Sequence, residues 1–134
     1  MPCTETVLRG RGQELNLVLP EPPTPLGTYV PAVEAGGLRF VSGMLSTSEQ
    51  RPVWIGRVGA ELTVMEGREA AQLAALNGLA VARAALGSLN RIWRLARLTV
   101  HIAAAPDFGE MHRSLTGRPT YWRYDSRTAA AMRV

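Results

Sequence analysis

Lysine is absent from this chain: all 15 basic side chains are arginines, set against 11 acidic ones, for a formal net charge of +4. The excess is uneven. Positions 1–117 hold 11 arginines against 10 acidic residues, a difference of +1, and positions 118–134 hold 4 against 1, a difference of +3. Nucleic-acid binders cluster basic residues on one element. Upstream of the tail only Arg91, Arg94 and Arg97 form a tight group, and their spacing of three suits a solvated face, so a nucleic-acid partner is not expected. Cysteine is nearly absent. The single Cys3, expected on a mobile terminus, excludes an internal disulfide framework and a multi-cysteine metal site. Histidine occurs twice, at His101 and His112, on different expected elements with no second ligand beside either. No metal or other cofactor is expected. No apolar run approaches the roughly 20 residues that span a bilayer. The opening Met1-Pro2-Cys3-Thr4-Glu5 lacks the basic-then-apolar order of a secretory signal, so the expectation is a cytoplasmic protein away from membranes. There is no internal repeat, glycine-rich phosphate loop or Ser-His-Asp arrangement.

Hydrophobic residues make up 46% of the 134, enough for a packed core, and the length suits a single domain over 1–134. Leu15-Asn16-Leu17-Val18-Leu19 alternates and predicts a first strand. Pro20, Pro22, Pro23 and Pro25 follow; without N–H donors and with φ fixed, they predict an extended surface segment. Gly36-Gly37 predicts a tight turn before a strand over 38–43. Residues 46–52 are polar and turn-like, and 53–58 form a further strand candidate with Gly56 as a possible bulge.

The strongest local signal is helical. Thr63-Val64-Met65-Glu66 fits a capping box, and the Ala-rich, proline-free stretch to Leu86 is followed by Gly87 as a C-cap. Leu73, Leu76, Ala80 and Ala84, joined by Ala70, Asn77 and Val81, give a stripe that normally packs on a core. Gly78 costs about 1 kcal/mol against Ala in a helix, which predicts close packing there. From Arg94 to Ala103, Ala96, Leu98, Val100 and Ile102 alternate with Arg97, Thr99 and His101, predicting a half-buried strand. Asp107 is placed to cap a second helix near Gly109. The resulting class is α+β in β-β-α-β order.

Several segments, in this order, resemble the YjgF/RidA family, historically labelled endoribonuclease L-PSP. They are Gly27-Thr28-Tyr29-Val30-Pro31-Ala32, Gly37-Leu38-Arg39-Phe40-Val41-Ser42-Gly43, Gly56-Arg57-Val58-Gly59, Glu69-Ala70-Ala71, Ala75-Leu76-Asn77-Gly78-Leu79, Leu86-Gly87-Ser88-Leu89 and Ala105-Pro106-Asp107-Phe108. The long entry segment and the Gly-Arg-Val-Gly element look like the longer YjgF-like branch. The resemblance implies a chorismate-mutase-like sheet packed on two helices, a homotrimer with clefts between subunits, and no cofactor. It implies hydrolysis of reactive enamines and imines of the 2-aminoacrylate type, with an arginine on the last strand clamping the substrate carboxylate. Alternatives are a non-catalytic trimeric binder of small carboxylate metabolites and, less favoured, the endoribonuclease or translation inhibitor of the older label. It further implies that Tyr29 and Ser42 lie near the cleft, with Gly43 allowing close backbone approach; no catalytic residue is assigned.

The resemblance stops after Gly117. Where the family continues with Gly-Ala-Ser-Asp-Leu-Leu, a helix and an arginine-bearing strand, this chain has Arg118-Pro119-Thr120-Tyr121-Trp122-Arg123. Read from the third base of the Gly117 codon, the permitted codons allow Ala-Ser-Asp-Leu-Leu-Ala; Tyr121-Trp122 compels the second Leu. Residues 118–134 are therefore expected to be an aberrant tail of frameshift type, with no recognisable last strand and impaired catalysis. The competing reading gives the clamp to Arg127.

Overall fold

Thr63 sets the start of the longest element. In the computed structural model, which describes residues 3–9, 13–109 and 130–133, its hydroxyl accepts from the Glu66 N–H at 3.2 Å. The Glu66 carboxylate returns to the Thr63 N–H at 2.7 Å and to its hydroxyl at 2.8 Å. That reciprocal box opens α1, Val64–Leu86, and Gly87 closes it in the left-handed region at φ 83°. These bonds also hold the Glu66 carboxyl below its ordinary pKa, the backbone N–H of Thr63 first.

Helix α1 buries Ala80, Val81, Ala82 and Leu86, and the core cluster adds Leu19, Val41 and Leu89. Each fully buried Leu or Val side chain contributes about 1.5–3 kcal/mol. The predicted stripe is right at Ala80, Val81 and Asn77. Ala84, however, is exposed, and Ala82 takes a buried place that simple helical spacing from Leu73 does not reach. At Gly78 an added Cβ would meet only the Met44 Cγ, at 3.8 Å, an ordinary contact among the described residues. The predicted tight approach is absent there.

The strands are β1 Cys3–Arg9, β2 Gln13–Leu19, β3 Ala32–Ala35, β4 Leu38–Val41, β5 Thr47–Ser48, β6 Arg51–Pro52, β7 Arg94–Arg97 and β8 Ala130–Arg133. The main sheet runs β3-β4-β8-β7, antiparallel throughout. Gly36 and Gly37, at φ 57° and 71°, make the predicted turn between β3 and β4. Val41 points into the core beside α1, so its neighbour Phe40, and Val33 opposite it in register, lie on the other face, both exposed.

Four sequence-based expectations are corrected. Cys3 is not on a free terminus but opens β1, which pairs along its length with β2. The 53–58 strand does not form: Gly56 and Gly59 sit at φ 141° and 86°, turning the backbone so that only Val58 bridges, to Leu62 and Ala104. The 94–103 strand ends at Arg97. A register shift between Leu95 and Arg97 meets a partner strand only four residues long, and beyond it Thr99, expected on the polar face, is the buried residue. A last strand does exist, since Ala130–Arg133 fills the place between β4 and β7, two strands that would otherwise expose unpaired edges. The expected second helix, His112 and Arg127 lie outside the described residues.

One carboxylate ties the N-terminal hairpin to the end of α1. Glu5 on β1 accepts from the Leu89 N–H at 2.9 Å, the Arg83 Nε at 2.7 Å and the Ser88 hydroxyl at 3.0 Å. The Leu89 amide first, then the Arg83 guanidinium, hold its carboxyl below the ordinary range. A depressed folded-state pKa gives stability that is fully present above the unfolded value and lost as pH falls through the folded one. Glu5→Gln is expected to destabilise the fold by about 1–3 kcal/mol at pH 7. In urea unfolding the gap from wild type should close as pH falls below about 4; a gap that is constant with pH would remove this role.

Candidate functional site

The cleft is built outward from a buried amide. Asn77 lies on the sheet-facing side of α1 with 1% of its surface exposed. A buried amide without partners costs roughly 1–3 kcal/mol. Asn77 Nδ2 donates to the Leu45 carbonyl at 2.9 Å, the Thr47 carbonyl at 2.9 Å and the Thr47 hydroxyl at 3.2 Å. These bonds tie the segment after β4 to the helix at Leu45 and Thr47.

The hairpin β5–β6 follows at once. Its two turn residues, Glu49 and Gln50, adopt positive φ, 49° and 65°. Such a turn favours Asn-Gly, and non-glycine residues in this region cost of order 1–3 kcal/mol each. A compensating contact is present: Gln50 Oε1 accepts from both the Thr24 N–H and the Thr24 hydroxyl, each at 2.9 Å. The hairpin tip is thereby latched to the proline segment, which forms no regular element, as its composition predicts.

Between these walls lies a cavity of about 70 Å³, the volume of a few water molecules or a small metabolite. Pro23, Pro25, Leu26, Met44 and Leu45 give it apolar sides, and Thr24, Tyr29, Thr47 and Gln50 bring polar atoms. Tyr29 and Gly43 therefore share the cavity. Ser42 does not line it: its hydroxyl donates to the Val30 carbonyl at 2.8 Å and its N–H to the Pro31 carbonyl at 2.9 Å, so it braces the Tyr29 segment from behind. At Gly43 an added Cβ would meet nothing within 4 Å. No aspartate, glutamate, histidine or arginine lines the cavity among the described residues.

Sequence reasoning missed Thr24 and Gln50. The only signal for Gln50 was the polar character of 46–52, which names a turn and not its partner Thr24, itself set among the prolines. It included Asn77 in a packing stripe without assigning its amide. The Gly-Arg-Val-Gly element is a braced loop away from this cavity. Arg57 binds Glu61 through its N–H at 2.8 Å and its Nη2 at 3.1 Å. The Arg57 side chain first, then its backbone amide, lower the Glu61 pKa to about 2. Among the described residues no group of three or more His, Cys, Asp or Glu could hold a metal ion. No described helix is long and apolar enough to cross a membrane.

Residues 10–119 match the family model described as "YjgF/chorismate_mutase-like, putative endoribonuclease". The chain is 38% identical over 98 residues to Protein TCP17 of Trypanosoma cruzi, covering 73% of this chain and 61% of that protein. It thus spans about three fifths of that relative's length. The crystal structure of Atu1372 from Agrobacterium tumefaciens, a protein of unknown function, superposes with TM-score 0.72 at 27% identity, covering 88% of this chain and 87% of that one. A protein from Shewanella oneidensis described as a "putative endoribonuclease" superposes with TM-score 0.74 at 24% identity, over 88% and 93% of the two chains, a likeness of fold. The chain belongs to the YjgF family and has its chorismate-mutase-like α+β fold.

Removing the central amide tests this construction. Asn77→Ala takes the amide donor from the Thr47 carbonyl and leaves the Leu45 carbonyl with only the Thr47 N–H, and is expected to cost about 1–3 kcal/mol. Hydrogen exchange should show faster amide exchange across 43–50, with the middle of α1 still protected. Unchanged exchange in that segment would contradict the anchoring role.

Proposed function

We propose that the cleft beside Tyr29 and Gly43 binds small 2-imino acids and assists their hydrolysis to 2-oxo acids, the enamine/imine deaminase reading. The observation that carries it is the cleft: a small, mostly apolar cavity with uncharged polar groups, in a chain of the YjgF family. Water adds its oxygen to the C=N carbon and one proton to the nitrogen; the second water proton then moves from that oxygen to the nitrogen as the C=O bond forms, the C–N bond breaks and ammonia leaves. The substrate is intrinsically labile, so orientation and partial exclusion of water supply much of what is required. Tyr29 and Thr47 offer hydroxyls to the substrate or the attacking water, and Gly43 leaves room for close approach.

A second reading, binding without turnover, is favoured by the lining itself. Among the described residues it holds no carboxylate, imidazole or guanidinium to act as acid, base or clamp. The arginine clamp that the resemblance implies has no counterpart among the described lining residues. Turnover by this chain should accordingly be slow. The same lack of an acid–base pair disfavours RNA cleavage at this cleft. A homotrimer is part of the proposal: exposed Val33 and Phe40 on the sheet face away from α1 supply apolar surface for it. Light scattering should give a trimer, and a concentration-independent monomer would exclude it.

Release of ammonia or 2-oxo acid from 2-iminobutyrate, generated in situ from an amino acid, separates the first two readings. Catalysis above the spontaneous rate that falls at least about 10-fold in Gly43→Leu supports the hydrolase, since that side chain fills the cleft without a backbone conflict. Saturable binding of 2-oxobutyrate with no rate above background supports the binder. Neither turnover nor binding would overturn both, and cleavage of RNA lost in Gly43→Leu would restore the ribonuclease.

A further inference from the structure

Gln50 is held in a way that leaves half of its amide unused. Its acceptor is doubly engaged by Thr24, at 2.9 Å from the backbone N–H and 2.9 Å from the hydroxyl. A backbone N–H can only donate, so the atom facing it is the oxygen, and the amide orientation follows from chemistry. The Nε2 hydrogens therefore point away from Thr24. They have no hydrogen-bond partner among the described residues, and the side chain is exposed and lines the same cavity as Tyr29 and Gly43. A positive-φ turn with no glycine places this side chain, and the latch keeps it in one orientation. Strain of this kind, held in place by its surroundings at a cavity, is where ligand-holding residues cluster.

We propose that Gln50 is a ligand-positioning residue of the cleft, donating from Nε2 to a carboxylate or carbonyl oxygen of a bound 2-oxo or 2-imino acid. This rests on the reading of the cleft as the ligand site. A neutral donor suits the task here. It gives an anionic oxygen a charge-assisted bond, and its place in the turn fixes the distance from the cavity floor that Asn77 anchors. Thr24 acts through Gln50, by fixing which end of the amide faces the ligand.

The test is a titration of the isotopically labelled full chain with 2-oxobutyrate, followed by NMR. In wild type, the Gly43 and Met44 backbone amides and the Gln50 side-chain NH₂ resonances are expected to shift together with one affinity. Gln50→Glu keeps an acceptor for Thr24, removes both donors and adds a negative charge; affinity should fall at least about 10-fold while the Thr24 amide stays in its latched position. If Gly43 and Met44 shift but the Gln50 NH₂ does not, or if Gln50→Glu binds as tightly as wild type, the role of Gln50 is overturned and the cleft reading stands. If no cleft residue shifts, both fall. The wild-type NH₂ measurement decides the matter even if the variant loses its latch.

Discussion

The buried amide of Asn77 is the constraint from which the cleft follows. Once Thr63 sets where α1 begins, helical geometry decides which face Asn77 occupies, and that face is turned to the core. An amide there has to find acceptors, and it finds two, the Leu45 carbonyl, which also accepts from the Thr47 N–H, and the Thr47 carbonyl. Reaching both brings the segment after β4 down onto the helix. The β5–β6 hairpin then projects from a fixed base, and its tip reaches Thr24. A polar requirement inside the core thus sets the position of a surface loop some thirty residues away in sequence.

Much of the fold was legible because it is encoded locally. The cap at Thr63, the stop at Gly87, the Gly36-Gly37 turn and the irregular proline segment each depend on neighbours a few residues apart. What escaped depends on distant partners. β1 owes its form to β2, β8 to the gap between β4 and β7, and Glu5 meets the helix end across about eighty residues. Alternation misled at 98–103, where the strand loses its partner and Thr99, not the neighbouring aliphatics, goes fully inside. Its hydroxyl is buried without a hydrogen-bond partner among the described residues.

The candidate cavity was approached by resemblance more than by chemistry. Tyr29 and Gly43 meet in the cavity; Ser42 stands behind it as a brace. The turn at Glu49-Gln50 carries none of the Asn or Gly that usually mark positive φ, so the polar stretch 46–52 announced a turn but not its left-handed backbone. A cleft with hydroxyls and amides but no charged group among its described lining is suited to hold and orient a labile substrate. It is poorly suited to chemistry that needs strong acid–base help.

The most direct test of the account is a crystal structure of this chain grown with 2-oxobutyrate. The account predicts ligand density between Tyr29, Gly43 and Gln50, on the floor formed by the segment that Asn77 anchors. Density for the ligand at another place, with this cleft unfilled, would contradict it.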